Sequence, residues 1–168
     1  ILPTISKNFE RLMFNQIDNF MDSKLSTFQC GFRKNMGAQN CLIFLIEKWK
    51  KCLDKKGKAG ILLTDLSKAF DCVLHDLLIA KLYTYGFSYY SLKLINSYLC
   101  NRQQRVRINS KYSSWCPIIT GVPQGSILGG LLFNIDLCDL FNFLEDSYIT
   151  NYADDNFLLH VNTIILLY

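Results

Sequence analysis

A chain of 168 residues is long enough for one domain with its own core, and 50% hydrophobic content with 14% aromatics excludes a disordered polypeptide. The net charge of +4 hides an asymmetry. All 18 Lys and Arg precede Tyr112 together with eight acids, whereas six acids and no base follow it. That division fits a protein that meets a polyanion with one part and cations with another. The seven cysteines are odd in number, scattered and never in a C-x-x-C pair, which argues against a disulfide framework or a zinc site. They read as small hydrophobes in a reducing compartment. No apolar stretch reaches the roughly 20 residues of a membrane span. Ile1 and the apolar end "NTIILLY" read as cut ends, so the chain is expected to be an internal piece of a longer protein.

In chain order, "ISKNFERLMFNQIDNFM" places Ile5, Phe9, Leu12, Met13, Ile17, Phe20 and Met21 at helical spacing. A polar, Gly-containing connection, "STFQCGFRKNMG", follows. "AQNCLIFLIEKWKKCLDKK" predicts a second helix whose Lys-rich last turn suits the helix dipole. Beyond Gly57 and Gly60, "GILLTDL" is a short apolar run expected to be a buried strand ending at Asp65. "HDLLIAKLYTYG" and "YSLKLINSYLCN" predict two helices, the first closed by Gly86. "QQRVRIN" and "SSWCPIIT" alternate and predict a hairpin across "SKYS". "GVPQGS" is a turn-rich loop, "ILGGLLFNIDLCDLFNFL" a helix, and "YITNYADDNFLLHV" two strands joined at an Asp pair. This order predicts an α+β fold, an antiparallel sheet with helices on one face.

Asp154 and Asp155 stand in an apolar, strand-like run, where Asp is a poor fit. A solvated hairpin tip would tolerate them. The alternative is a metal site, because Mg²⁺ takes carboxylate oxygens and two ions about 4 Å apart clamp both oxygens of phosphoryl transfer. A third carboxylate is then needed from a neighbouring strand, and Asp65 at its strand end supplies it.

The blocks "LLTDLSKAFDCVLHDLLIAKL", "SYLCNRQQRVRIN", "TGVPQGSILGGLLFNI" and "NYADDNFLL" resemble, in order, the motifs of reverse transcriptases, most closely non-LTR retrotransposons of the jockey type. "ILPTISKNFERLMFNQI" and "QCGFRKNMGAQNCL" are similar to the two motifs that precede the catalytic ones. The resemblance covers essentially the whole chain. It implies a right-hand polymerase palm at 58–168 with part of the fingers at 1–57, truncated at both ends. It implies RNA-directed DNA polymerisation with two Mg²⁺ ions (Mn²⁺ a possible substitute), held by Asp65, the Leu66 carbonyl, Asp154 and Asp155, with Asp154 the firmer ligand of the pair. By the same resemblance Phe70 is the steric gate against a ribose 2′-OH, and Gln124 and Gly125 lie at the nascent base pair. Arg33 and Lys34 would touch template or phosphates, a solvated loop being the alternative. Arg105 and Arg107 share one strand face and would track phosphates. His75 reads as packing or capping.

The partners implied are RNA template, DNA primer and dNTPs, with no membrane, beside the remainder of a parent polyprotein. The setting implied is intracellular, nucleus and cytoplasm. Gly130, where the family usually has Pro, and Asp136, where it has an aromatic, depart from the pattern; Gly130 is expected to loosen a helix start and Asp136 to cost stability. Two other readings stand beside this one: an inactive remnant of a decayed element, and a palm that only binds nucleic acid. Intact Asp65, Asp154 and Asp155 speak against both, whereas the cut ends and the departures at Gly130 and Asp136 speak for a remnant.

Overall fold

The computed structural model describes residues 4–142 and 147–162. The apolar run at 163–168 and the expected helix end at 143–144 lie outside the described residues.

Helix α1 (Thr4–Met21) buries Glu10, Met13, Ile17 and Met21, one narrow stripe at helical spacing. Ile5, Phe9 and Leu12 stay exposed, so the sequence stripe is wider than the buried one. Helix α2 (Ala38–Asp54) starts where Asn40 Oδ1 accepts the Gly37 N–H at 2.9 Å. Helices α3 (His75–Thr84) and α4 (Tyr89–Leu99) meet across Gly86, whose φ of +92° closes α3, and the Ser88 hydroxyl caps α4. Helix α5 (Gly129–Leu137) runs into a 3₁₀ turn over Cys138–Asn142.

The main core gathers α1, α3, α4 and α5, with Leu78, Leu82, Ile95, Leu99, Leu131, Leu132 and Ile135 all but inaccessible. Each such side chain contributes about 1.5–3 kcal/mol by leaving water. α5 is therefore buried nearly all round, as its mostly apolar sequence, broken only by Asn134 and Asp136, leads one to expect. Gly130 fits this helix start tightly: a Cβ there would overlap the ring of Phe32. The lack of a side chain at Gly130 makes room for the Phe32 ring against the start of α5. Asp136 has a cationic neighbour but is still half-desolvated. Lys81 Nζ lies 3.3 Å from Asp136 Oδ1 and 2.9 Å from Asp139 Oδ1, and also donates to the Asp136 carbonyl. Burial still pushes the Asp136 carboxyl above its ordinary range, against the opposing pull of Lys81.

Strands β1 (Lys58–Asp65), β6 (Ser147–Tyr152) and β7 (Asp155–Asn162) form an antiparallel sheet in the order β1-β7-β6. Helix α2 packs on it, with Phe44 edge-on to Tyr148 at 6.1 Å. The expectation of a buried β1 is corrected. Among the described residues it is an edge strand paired with β7 alone, and Leu62 and Leu63 are 58% and 66% exposed. The single hairpin expected at 103–120 is also corrected. Strand β2 (Arg102–Gln104) pairs with β5 (Cys116–Ile118), and β3 (Arg107–Ile108) pairs with β4 (Lys111–Tyr112). The turn falls at Asn109–Ser110 rather than across "SKYS", because Asn109 takes the positive φ (+54°) that a two-residue turn demands. All seven cysteines are free, but Cys72 and Cys116 are exposed and Cys100 half-buried, so only four behave as core hydrophobes.

Candidate active site

The β6–β7 connection is two residues long. Tyr152 pairs with Asp155, leaving Ala153 and Asp154 at the tip. On the other side of β7, Asp65 pairs with Asp155. Directly opposed residues project from the same sheet face, so these two carboxylates are neighbours and Asp154 is the next residue along the chain. The two elements thus lie side by side as the Asp spacing anticipates. The register sets Asp155, not Asp154, against Asp65.

Ala153 has φ +57°, a left-handed conformation that costs an L-residue roughly 1–2 kcal/mol. The surroundings impose it. The Phe28–Gly31 segment runs parallel to the end of β6: Asn151 N–H donates to the Phe28 carbonyl at 3.1 Å and Cys30 N–H to the Asn151 carbonyl at 3.0 Å. Thr150 Oγ1 donates to the Phe28 carbonyl at 2.7 Å, and Cys41 Sγ to the Asn151 carbonyl at 3.2 Å. Gly31 lies flat on the tip, and a Cβ there would overlap the Ala153 backbone nitrogen. From within the hairpin, Asn151 Nδ2 donates to the Ala153 carbonyl at 3.2 Å and Asn156 Nδ2 to the Asp154 carbonyl at 3.1 Å. Asn151 and Asn156 pair across the strands on the face opposite the carboxylates. Burial, with Cys41 alongside, pushes the Cys30 thiol up to about 12, so this support stays uncharged.

Asp65 and Asp155 are exposed and Asp154 half-buried. Among the described residues no Lys, Arg or His forms an ion pair with any of the three. Like charges directly opposed on a sheet repel, so Asp65 and Asp155 form an uncompensated anionic pair. Among the described residues no three His, Cys, Asp or Glu side chains gather into a ready metal-binding group. Two carboxylates are brought together, and the third stands beside them on the turn.

The neighbouring loop is fixed to the segment after β1. Val122 N–H donates to the Phe70 carbonyl at 2.9 Å, Gly121 N–H to the Val73 carbonyl at 2.7 Å, and His75 Nε2 to the Gly121 carbonyl at 2.8 Å. Gly121, at φ +87°, has Asp71 Cα only 2.8 Å from where a Cβ would stand. His75 thus packs and ties, as its sequence position suggests. Gln124 Nε2 donates to Asp71 Oδ1 at 2.9 Å, and Gly125 has φ +75°. The Leu66 carbonyl accepts the Ala69 N–H at 3.2 Å. Phe70 is half-buried, stacked on Phe133 at 4.4 Å and edge-on to Phe32 at 5.6 Å.

The basic candidates divide. Arg33 does not project outward: Nη1 donates to the Ser26 carbonyl at 2.6 Å and Nη2 pairs with Asp22 at 3.0 Å, leaving its side chain 9% exposed. Here it braces the Ser26–Asp22 region, with Nη1 and Nη2 engaged locally. Lys34 is exposed. Arg105 precedes β3 and Arg107 lies in it, and both reach the Tyr112 ring, at 4.1 Å and 5.5 Å. Gly31, Asn151 and Asn156 escaped sequence reasoning. The available signal was a pair of Asn flanking the Asp tip inside an otherwise apolar hairpin.

A family model described as reverse transcriptase (RNA-dependent DNA polymerase) matches residues 1–164. The chain belongs to the reverse transcriptase family. It is 31% identical over 175 residues to the RNA-directed DNA polymerase from mobile element jockey of Drosophila melanogaster, a match covering 99% of this chain and 19% of that protein. It is 32% identical over 170 residues to the "Probable RNA-directed DNA polymerase from transposon BS" of the same organism, covering 95% of this chain and 18% of that protein. The resemblance to jockey-type elements is borne out, and the chain spans under a fifth of these relatives' length. A telomerase structure from Candida Tropicalis, truncated from its C-terminal domain, superposes with TM-score 0.67 over 91% of this chain and 34% of that one at 14% identity. The fold is therefore reverse-transcriptase-like.

Proposed function

We propose that this reverse transcriptase chain carries the catalytic centre of an RNA-directed DNA polymerase of a jockey-type, non-LTR retrotransposon. Residues 58–168 are read as the palm and 1–57 as part of the fingers. The observation that carries the reading is the anionic pair Asp65–Asp155, with Asp154 adjacent on a strained tip, and with no ion-pairing cation among the described residues. A carboxylate set of this kind suits hard divalent cations, and a cation would relieve the cross-strand repulsion.

Asp65, Asp154 and Asp155 would hold two Mg²⁺ (or Mn²⁺), and the second lone pair of the Leu66 carbonyl would add a ligand. The chemistry supplied there would be activation of a primer 3′-hydroxyl and offsetting of charge on departing pyrophosphate. The chain's own residues do the positioning. Asp65 and Asp155 set the spacing through the strand register. Phe70, gripped between Phe32 and Phe133, would present a rigid ring edge against a 2′-OH. Gln124 and Gly125, on the loop locked to Phe70 and Val73, would lie along the incoming nucleotide. Template RNA, primer DNA and dNTPs are the partners, in an intracellular setting and beside the rest of a longer polypeptide.

Primer extension on an RNA template with a DNA primer, dNTPs and Mg²⁺ tests this. Incorporation that needs a divalent ion and disappears in Asp154→Asn supports the proposal; incorporation unaffected by that substitution, or none at all, counts against it.

A further inference from the structure

Glu10 is the one charged side chain in the buried stripe of α1, beside Met13, Ile17 and Met21. Only 1% of it is exposed. A carboxylate taken out of water is costly unless its oxygens are bonded, and an apolar side chain would fill this place more stably. Among the described residues no Lys, Arg or His pairs with it. Arg102, on the same patch, lies 5.4 Å from the Tyr98 ring centre and donates to the Tyr98 carbonyl instead.

Hydrogen bonds from two other elements hold this carboxylate. Tyr98, on α4, donates its hydroxyl to Oε1 at 3.1 Å. Ile127 donates its backbone N–H to Oε2 at 2.7 Å, across 117 positions of sequence. A short bond to a charged acceptor belongs to the strong class.

Ile127 stands at the end of the loop that carries Gln124 and Gly125. The Ser126 N–H donates to the Pro123 carbonyl at 3.1 Å, and Gly125, at φ +75°, is third in that four-residue turn, as a type II turn requires. The leading leg of the turn is pinned by the Gly121 and Val122 N–H groups to the carbonyls of Val73 and Phe70. The trailing leg is pinned at Ile127 to Glu10, just before the Ser126 hydroxyl accepts the Gly129 N–H at the start of α5. Both legs are therefore anchored to distant backbone, one to the segment after β1 and the other to α1.

We propose that Glu10 is a positioning residue of the polymerase reaction. It touches neither metal nor nucleotide. Through the Ile127 N–H it fixes the trailing leg of the turn, and so holds Gln124 and Gly125 in place. A Glu serves because it carries acceptors only and reaches α4 and the loop at once. The proposal rests on the polymerase reading, which lays Gln124 and Gly125 along the incoming nucleotide.

Two measurements on the 168-residue chain test it. The first is NMR-detected amide exchange without metal, primer or nucleotide. Glu10→Ala is expected to speed exchange of the Ile127 N–H about tenfold or more, the loss of a hydrogen bond to a charged group, while Leu78 in α3 keeps its protection. The second is primer extension, in which the KM for dNTP should rise about fivefold or more and kcat change by less than about threefold. Glu10→Gln, whose amide oxygen can still accept from Ile127, should restore both to within about threefold of the wild type. Glu10→Asp, one methylene shorter, should behave as Glu10→Ala does, and it replaces that variant if the alanine chain does not fold. Ile17→Val, in the same stripe but apart from the loop, should lower the urea midpoint and leave exchange at Ile127 and the KM unchanged. Wild-type exchange and KM in Glu10→Ala or Glu10→Asp would overturn the proposal. An equal rise in KM in Ile17→Val would do the same, since Glu10 would then act by packing alone. Absence of incorporation by the wild type would sink the polymerase reading, and exchange at Ile127 would still decide whether Glu10 holds the loop.

Discussion

Two hairpins of this chain do opposite things with charge. The β6–β7 hairpin carries Asp154 and Asp155 on a strained tip, and backbone, amide and thiol donors hold that tip from several sides. The β2–β5 double hairpin carries Arg105, held by stacking on exposed rings, and Arg107, held by the Tyr112 ring and one local bond from its Nε to the Asn109 carbonyl. The acidic tip needs its oxygens fixed to a fraction of an ångström if it is to place a hard cation. The basic hairpin meets a long-range, forgiving Coulomb partner, for which orientation matters more than position. Rigidity is concentrated where the chemistry demands it.

Four experiments would break or sharpen this contrast. The sharpest compares Asp154→Asn with Arg107→Gln in primer extension. Loss of a metal-holding carboxylate should cost on the order of 10³-fold or more, whereas Arg107→Gln should cost only a few-fold; equal losses would dissolve the distinction. Next comes Gly31→Ala, which drives a Cβ into the Ala153 backbone and should destabilise by about 1–3 kcal/mol in urea unfolding. Its control is Gly60→Ala on β1, where nothing stands within 4 Å and the change should stay within about 0.5 kcal/mol. If the two behave alike, the tip is not braced by Gly31.

Asn156→Ala removes the donor to the Asp154 carbonyl. It should cost about 0.5–1.5 kcal/mol of stability and raise the Mg²⁺ concentration needed for half-maximal incorporation while leaving the KM for primer–template unchanged. An unchanged Mg²⁺ requirement would reduce Asn156 to a packing residue. The smallest effect concerns Asp136, on the helix whose Asn134 side chain donates to the Gly31 carbonyl. Burial raises the Asp136 carboxyl, so the folded chain holds that proton more tightly than the unfolded one. The associated stability is present below the ordinary carboxylate pKa and lost as pH rises through the raised value. Asp136→Asn should therefore gain on the wild type as pH increases from 4 to 8, and a pH-independent difference would contradict the burial argument.

The elements were largely legible in the sequence because apolar periodicity and Gly punctuation agree along α1 to α4. The Asp tip was legible because two acids interrupt an apolar run. What escaped had no local signal. The exposure of β1 depends on which strands pair with it, and its apolar sequence looks the same at an edge or in the middle. The broken β2–β5 hairpin turns on Asn109 rather than on the Ser-rich segment that drew attention. Arg33 reads as a surface cation until Asp22 and the Ser26 carbonyl are seen beside it. Gly31 reads as loop punctuation, yet it touches Ala153, 122 residues away in the chain. Long-range contacts of that kind leave no trace in spacing.

The most direct measurement is a Mn²⁺ titration of the 168-residue chain followed by electron paramagnetic resonance, which reads free Mn²⁺ and needs neither primer nor template. The account predicts that the wild type withdraws Mn²⁺ from solution and that Asp65→Asn and Asp155→Asn each weaken this markedly, because the two carboxylates face one another across β1 and β7. Identical curves for the wild type and both variants would mean that the opposed carboxylates hold no cation.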